Sequence, residues 1–338
     1  MNQKVMILLH EYLIPPDRLT KAERLKSNTA TEYDVLTNLK NLNYEVLPLG
    51  VSNDASIITR AIDNFKPTIV FNLMEEFHHK ASFDQNVVSF LEMNKIPYTG
   101  CNPQGLMLAR NKDLAKKILK FHGIATPAFH VYPLGSVLKM PDLKFPLIVK
   151  CLNEDGSLGL SKASIVNNEK KLFERIKFIH KKFEVDAIAE EFISGREFFV
   201  GLLGNQKLHV LPPWEFLING KNPPKDEFYT DKAKFDLGYR KKKGIVTKKA
   251  ELSELKLEEI KKICKETFGV LQLNGYARID LRMDERGKLW VIEANPNPDI
   301  AFDDEFAQSA KHLGMDYPLL LEKIIGLGLK WHKLQSAA

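Results

Sequence analysis

The segment from Asn274 to Asn295 constrains the fold most, because its pattern is that of a hairpin with one polar and one apolar face. Successive side chains of a β-strand point to opposite faces of the sheet. Arg278 and Asp280 then share a face on the first arm, as Glu293 and Asn295 do on the second. The predicted polar side also carries Tyr276, Leu289 and Val291. The opposite side is entirely apolar and is predicted to face a core. Its residues are Ala277, Ile279, Leu281, Trp290, Ile292 and Ala294.

A turn from Met283 to Gly287, with Asp284 and Gly287 as turn formers, brings the four polar side chains of the hairpin together. Three oxygen ligands beside one guanidinium suit Mg2+ bound together with phosphate. The alternative is an edge ribbon with a solvated polar face, which is the norm in antiparallel sheets. The sequence 295–299, Asn-Pro-Asn-Pro-Asp, follows directly, and its two prolines favour a rigid loop beside a site.

Composition predicts a globular protein of two or three domains, since 338 residues with 44% hydrophobic content can bury sizeable cores. The net charge is +6, but the basic residues are scattered among 43 acidic ones and form no nucleic-acid motif. We therefore expect no nucleic-acid partner. The densest basic run, Arg240 to Lys243, is either a solvated loop or an attractor of an anionic substrate.

The cysteine pattern predicts a reducing compartment. Cys101, Cys151 and Cys264 are odd in number and lack CxxC spacing, which argues against a disulfide framework or a zinc site. The apolar run from Val5 to Leu9 is too short for a signal peptide, and no stretch approaches a membrane span. We expect a cytoplasmic protein without a membrane partner.

The first hundred residues alternate strand and helix patterns, which predicts a parallel sheet covered by helices on both faces. Ligands of such sheets bind beyond the carboxyl ends of the strands. This places His10-Glu11 and the segment from Asn72 to His79 at the mouth of a site, or in ordinary polar loops. The predicted strands are Val5–Leu9, Tyr44–Leu49, Thr68–Phe71 and Ile96–Thr99, and the predicted helices are Thr31–Leu42, Asp54–Phe65 and Ser82–Met93.

Beyond Gly100 the pattern changes to antiparallel signals. An apolar strand from Phe145 ends on Lys150, and a small-residue loop from Asn153 to Gly159 leads to a further strand. This arrangement predicts a flap whose NH groups contact phosphate, although no Walker motif is present. The other predicted strands are Ser161–Val166, Asp186–Ile193, Glu197–Leu203 and Lys207–Leu211; the helices are Pro103–Ala109, Asp113–His122, Asn168–Lys182, Ser253–Phe268, Asp303–Leu313 and Tyr317–Leu327; Asn219–Gly244 is a long aperiodic loop.

Six ordered blocks of this chain resemble the ATP-grasp superfamily, and within it the D-alanine:D-alanine ligase branch, from about Pro97 to Leu329. The blocks are Tyr98-Thr99-Gly100, the Lys112 helix, Pro146–Lys150 with the Glu154–Gly159 loop, Glu190–Glu197, Lys234, and Arg278–Asn297. The resemblance implies an α/β protein of the ATP-grasp fold, with an N-terminal parallel α/β domain followed by two α+β lobes that clamp ATP. We expect the domain at residues 1–100, a central lobe with the flap at 101–190, a lobe with the metal site at 191–330, and a tail at 331–338.

The resemblance also implies a role for each matching residue. Lys112, Lys150 and Lys234 look like the lysines that contact the ATP phosphates, and Gly156 and Ser157 resemble the flap over the triphosphate. The family uses the stretch Glu190, Glu191, Phe192 and Ile193 to read adenine and a carboxylate like Glu197 to bind ribose. Asp280, Glu293 and Asn295 match the ligands of two Mg2+ ions, for which Mn2+ can substitute, and Arg278 matches the arginine that steadies the acyl phosphate.

The substrate side departs from the family. D-alanine ligases carry a Ser-x-Glu loop after the first strand and a His-Gly-x-x-Gly-Glu-Asp-Gly stretch after the third, whereas here the segments 10–16 and 72–79 have neither motif. Asp299 stands where the family has a glycine, and Phe235 where it has a tyrosine. The resemblance therefore implies retained ATP chemistry and an altered acceptor pocket.

We accordingly predict an ATP-dependent carboxylate-amine ligase that acts through an acyl phosphate on small-molecule substrates, such as a small amino acid or a related carboxylate and an amine. Two alternatives stay open: a true D-alanine:D-alanine ligase with an altered pocket, and an inactive ATP-binding module. The sequence leaves the assembly open, a homodimer being one option.

Overall fold

The computed structural model describes residues 3–153, 159–224 and 227–336. Its strands are β1 Lys4–His10, β2 Glu45–Val51, β3 Ile69–Asn72, β4 Phe129–Tyr132, β5 Leu147–Cys151, β6 Ile165–Val166, β7 Ala187–Glu191, β8 Arg196–Leu203, β9 His209–Val210, β10 Trp214–Ile218, β11 Ile245–Lys249, β12 Tyr276–Met283 and β13 Leu289–Pro296. Its helices are α1 Lys21–Arg24, α2 Ala30–Asn41, α3 Ser56–Phe65, α4 Asp84–Met93, α5 Pro103–Arg110, α6 Lys112–Phe121, α7 Glu169–Phe183, α8 Asp231–Phe235, α9 Leu237–Lys243, α10 Glu254–Val270, α11 Glu305–His312 and α12 Tyr317–Ser336.

The first sheet is parallel, as the alternating pattern predicts, and has the order β2-β1-β3. The strand predicted at Ile96–Thr99 is reduced to one parallel bridge between Val70 and Tyr98. Residues Val5 to Leu9 of β1 are fully buried, because helices cover both faces of the sheet. On one face α2 and α12 pack together against β1 and β3 in a single apolar core.

The second sheet is antiparallel, with the order β4-β7-β5-β6, and is covered by α7. Leu172, Ile176 and Ile179 of α7 are buried against it, and most of the lysines of this helix are exposed, whereas Arg175 is buried and donates to Ser164 Oγ at 2.9 Å. Two predictions here need correction. The strand predicted from Ser161 begins only at Ile165, after a 3-10 turn, and β4 was not predicted.

The third sheet is antiparallel, with the order β11-β10-β8-β12-β13, and β9 pairs with β8. The sequence analysis missed β10 and β11. It was also wrong to treat 219–244 as an aperiodic loop, because this segment contains α8 and α9, each begun by an N-cap side chain, Thr230 and Asp236. The basic run ends α9, where positive charge suits the helix C-terminus, and Gly244 closes it with φ of +64°.

The three sheets fall within the three segments predicted as domains, except that β7 extends to Glu191. The domain boundaries themselves stay a prediction. Among the described residues, none of the helices combines the length and the apolar character that crossing a membrane requires.

Candidate functional site

The hairpin of β12 and β13 brings its polar residues together as predicted. Asp280 pairs with Glu293 and Arg278 with Asn295 across the two strands, which puts all four side chains on one face. The turn is also as predicted: Asp284 N donates to Lys288 O at 3.0 Å, and Gly287 N donates to Asp284 O at 2.9 Å. Both carboxylates therefore point into the same region of the molecule.

The face assignment of Leu289 to Ile292, which precede Glu293, was wrong, and a β-bulge is the reason. The register shifts between Asp280 and Leu281, so that Leu281 pairs with Val291 and Ile292 is the extra residue. Val291 and Leu289 consequently lie in the core rather than on the polar side. Trp290, predicted in the core, pairs with Arg282, and its ring N–H donates to Asp284 at 3.0 Å; Ile292 lines the candidate site.

Arg278 and Asp280 form a bidentate ion pair, with N–O distances of 2.7 and 3.1 Å. Asn295 Nδ2 donates to the same carboxylate at 3.0 Å. Burial alone would lower the pKa of Arg278, but Asp280 raises it above its ordinary value. The guanidinium therefore stays charged, and its acidic surroundings also include Asp304 and Glu305 of the α11 N-terminus.

Glu293 lies between lysines. Its carboxylate pairs with Lys112 Nζ at 2.9 Å. Burial alone would raise the pKa of Glu293, but the positive charges of Lys112, Lys150 and Lys234 lower it to about 2. It is therefore ionised at neutral pH, as a ligand for a divalent cation must be.

A cleft of about 630 Å3 lies where the second and third sheets meet. The predicted residues Lys150, Glu190, Glu191, Phe192, Ile193, Glu197, Lys234, Asp280 and Glu293 line it. Arg278, Asn295 and Lys112 adjoin it through their contacts with Asp280 and Glu293.

One end of the cleft contains a buried charge cluster. Glu190 Oε2 lies 3.3 Å from Lys150 Nζ and 3.2 Å from Lys116 Nζ, and Lys116 also donates to Thr126 Oγ1 at 3.1 Å. Burial alone would raise the pKa of Glu190, but the two lysines lower it. The sequence analysis missed Lys116, although it lies one helical turn after Lys112 on the same face of α6.

Two N–H groups of the stretch predicted to read adenine make hydrogen bonds to other parts of the protein. Glu191 N donates to Ala128 O and Phe192 N to Pro146 O, each at 2.9 Å, so these N–H groups are engaged within the protein. Glu197 accepts a hydrogen bond from Tyr229 N at 3.2 Å and lies 3.5 Å from the guanidinium of Arg282. Both partners line the cleft, and neither was predicted.

The other residues predicted to bind phosphate are Lys234, Gly156 and Ser157. Lys234 lies on α8, lines the cleft, and has its Nζ 5.8 Å from the ring centre of Tyr229. Gly156 and Ser157, predicted in the flap, lie outside the described residues.

The cleft fits both ATP and Mg2+ in its chemistry. Glu190 Oε1 is buried and has no hydrogen-bond partner in the described part of the chain. A buried acceptor of this kind calls for a donor, which an adenine amino group supplies. Two carboxylates and a side-chain amide, Asp280, Glu293 and Asn295, offer the oxygen ligands that Mg2+ prefers.

The loop after β13 is fixed against Gly100. Asn297 Oδ1 accepts a hydrogen bond from Cys101 N at 2.8 Å, and a Cβ on Gly100 would lie 2.4 Å from that oxygen. Asp299, further along this loop, accepts a hydrogen bond from Thr31 Oγ1 at 2.5 Å. Side-chain hydrogen bonds to distant elements thus anchor this loop, and its rigidity through the two prolines stays a prediction.

Comparison with known proteins agrees with this geometry. Residues 118–326 match the family model described as D-ala D-ala ligase C-terminus. The chain is 33% identical to the D-alanine–D-alanine ligase of Aquifex aeolicus over 85% of its length and 90% of the relative's. It is 34% identical to the uncharacterized protein y4sG of Sinorhizobium fredii, covering 76% of this chain and 73% of the relative.

Solved structures show the same fold. The D-alanine–D-alanine ligase of Bacillus anthracis, in complex with ATP, superposes with a TM-score of 0.76 over 98% of this chain and 99% of that one, at 21% identity. The mixed architecture of one parallel and two antiparallel sheets is thus that of the ATP-grasp fold.

Proposed function

The chain belongs to the D-alanine–D-alanine ligase family of ADP-forming ATP-grasp ligases, and we propose that it joins a small carboxylate to an amine through an acyl phosphate. A carboxylate oxygen of the first substrate attacks the γ-phosphorus of ATP, which gives the acyl phosphate and ADP. The amine then attacks the acyl carbon, phosphate leaves, and the amine loses a proton. Phosphate is a better leaving group than the oxygen of a free carboxylate. The acyl phosphate therefore divides one difficult step, direct attack of the amine on the carboxylate, into two easier ones.

The observation that carries this proposal is the convergence of Asp280, Glu293, Asn295 and Arg278 on one face of the hairpin beside a cleft lined by lysines. A solvated edge ribbon would leave these side chains exposed. Instead, Arg278 and Asp280 are largely buried, with side-chain exposures of 12% and 13%. Three of the four polar groups are hydrogen-bonded to each other, Glu293 pairs with Lys112, and all four are withdrawn from most of the solvent, which a metal-phosphate site accounts for.

The protein's share in the reaction is alignment and charge neutralisation. Lys150 and Lys112 would contact the phosphates, and Glu190 Oε1 would accept the adenine amino group. Arg278 would meet the negative charge that develops at the reacting acyl group. Asp280, Glu293 and Asn295 would hold Mg2+, which when bound offsets the charge of the β- and γ-phosphates.

We further propose that the substrates are a small amino acid or related carboxylate and an amine that differs from D-alanine, because segments 10–16 and 72–79 lack the family's substrate motifs. The specific rival is a true D-alanine–D-alanine ligase, which the name of the Aquifex relative favours.

The test is ADP release with Mg2+-ATP across a panel of amino acids and amines, followed by identification of the amide product by mass spectrometry. We expect turnover only with a matching pair, and D-alanine alone should give little. Full D-alanine–D-alanine formation would support the rival. Absence of ATP turnover with every pair would favour an inactive ATP-binding module.

Glu293→Gln checks the metal-phosphate site. Removing one of its two carboxylates should lower kcat by about 10²-fold or more, since a buried charge stabiliser contributes on that scale. Glu285→Gln is the matched control, because Glu285 is exposed in the turn of the same hairpin. Full activity of Glu293→Gln with Mg2+ would contradict the assignment.

A further inference from the structure

Two histidines and a glutamate meet at the edge of the first sheet, outside the cleft described above. His10 ends β1, and Glu76 and His79 lie in the segment after β3. His10 Nε2 lies 3.4 Å from Glu76 Oε1, and His79 Nδ1 lies 3.5 Å from the same oxygen. All three ligand atoms lie within 4.8 Å of one another. We name these three residues the His-Glu-His cluster.

These distances match a metal coordination shell. Zn–N and Zn–O bonds of about 2.0–2.2 Å in a tetrahedron place neighbouring ligand atoms about 3.3–3.5 Å apart. Both contacts of Glu76 Oε1 have this length, and all three ligand atoms lie within 4.8 Å of one another. The cluster is therefore close to a metal-binding geometry without rearrangement of the sheet.

His10 supplies an independent sign that a ligand belongs there. The residue is 1% exposed, and neither of its ring nitrogens has a hydrogen-bond partner among the described residues, since the approach to Glu76 lacks hydrogen-bond geometry. A buried imidazole that makes no hydrogen bond is costly. Coordination of a cation by Nε2 would satisfy the nitrogen that faces Glu76.

The glutamate is also positioned for this task. Tyr12 Oη donates to Glu76 Oε1 at 3.2 Å. Metal-binding carboxylates are commonly held by such hydrogen bonds from neighbouring side chains. The backbone of His79 has φ of +56°, a left-handed conformation that non-glycine residues adopt infrequently.

We propose that the His-Glu-His cluster is a second metal site, selective for a borderline divalent transition ion of the Zn2+, Co2+ or Ni2+ class. Two imidazoles favour such ions over Mg2+, which prefers oxygen ligands. The site needs no cysteine, so the cysteine spacing does not bear on it. Three protein ligands leave one tetrahedral position for water or a substrate group. The cluster lies at the carboxyl end of β1, on the edge of a parallel sheet where ligands bind.

The site can be tested without reference to catalysis. The full chain, freed of metal with a chelator, is dialysed against Zn2+ in the presence of excess Mg2+, which competes with Zn2+ for the hairpin carboxylates. Bound zinc is counted by mass spectrometry, and Co2+ is used as a probe with a visible absorption spectrum. We expect one equivalent of Zn2+ per chain and a tetrahedral Co2+ spectrum.

His79→Asn and His78→Asn form a matched pair. Both histidines are exposed neighbours with left-handed backbones, which asparagine tolerates, but only His79 faces Glu76. We expect His79→Asn to weaken Zn2+ binding by more than about tenfold, whereas His78→Asn should bind as the wild type does. His10→Asn should act like His79→Asn, but because His10 is buried and its replacement can also affect folding, the exposed pair is the deciding comparison.

The proposal is overturned if the wild type binds no Zn2+ in the presence of excess Mg2+. It is equally overturned if the two asparagine variants bind Zn2+ alike. Because binding is measured without ATP, failure of this proposal leaves the proposed ligase function untouched, and failure of the ligase assay leaves the zinc measurement valid.

Discussion

Gly100 shows how one residue without a side chain maintains the site. Its φ is +97°, and the space where a Cβ would stand is occupied by the Asn297 side chain. That side chain accepts a hydrogen bond from Cys101 N and belongs to the loop that follows the metal-ligand strand. The short motif around Gly100 is thus a packing requirement of the loop next to the site.

Gly100→Ala should lower the free energy of unfolding by about 2 kcal/mol or more, because it adds a steric conflict to the backbone strain. Gly123→Ala is the control: φ there is +70°, yet a Cβ would have no neighbour within 4 Å, so only the backbone cost of about 1 kcal/mol applies. Urea unfolding followed by circular dichroism measures both. Equal losses in the two variants would mean that the contact with Asn297 contributes nothing.

The sequence predicts individual residues well where a local period determines which way a side chain points. Asp280 and Glu293 were placed on one face by strand alternation alone. Lys116 was missed because its ion-pair partner, Glu190, lies in β7, far from α6 in the sequence. Such a contact between distant segments leaves no local pattern to detect.

Elements were predictable where a continuous apolar run marks a buried strand, as in β1, or where a helical pattern follows a capping residue, as in α10 after Ser253. Prediction failed at the bulge near Ile292, because one extra residue reverses every face assignment beyond it and hydrophobic alternation does not reveal where the extra residue falls. It also failed for α8 and α9. These helices are only five and seven residues long, too short for a convincing helical period.

Helix α8 offers a test of its contribution to the site. Lys234 lines the cleft, whereas Lys232, two residues earlier and on another side of the helix, is exposed. Lys234→Met should lower kcat by about 10²-fold, because it removes a positive charge near Glu293 and the phosphate site. Lys232→Met should leave kcat unchanged. Steady-state kinetics with saturating ATP distinguishes the two, and equal kcat values would remove Lys234 from the proposed mechanism.

At the scale of the whole molecule, stability should depend on a carboxyl group buried in α2. Burial, together with the negative charges of Glu75 and Asp299, raises the pKa of Glu32 from 4.5 to about 8. Below pH 4.5 both folded and unfolded states hold the proton, so the contribution of Glu32 is fully present. As the pH rises towards 8 the unfolded state loses the proton first, and stability falls.

Glu32→Gln removes this titration. It should therefore be more stable than the wild type by about 1–3 kcal/mol at pH 8, and the difference should shrink towards pH 5. Urea unfolding across this range is the measurement, with Glu174→Gln, an exposed position on α7, as the control. A constant difference across the range would show that Glu32 does not titrate in this way.

Helix α12 shares one core with α2, β1 and β3, although most of the chain lies between them in sequence. A ribosome releases β1 and β3 long before it releases α12. Part of the apolar surface of the first sheet is therefore bare during synthesis, when exposed apolar surface is prone to aggregation. This surface gains its cover only when α12, the last helix of the fold, leaves the ribosome.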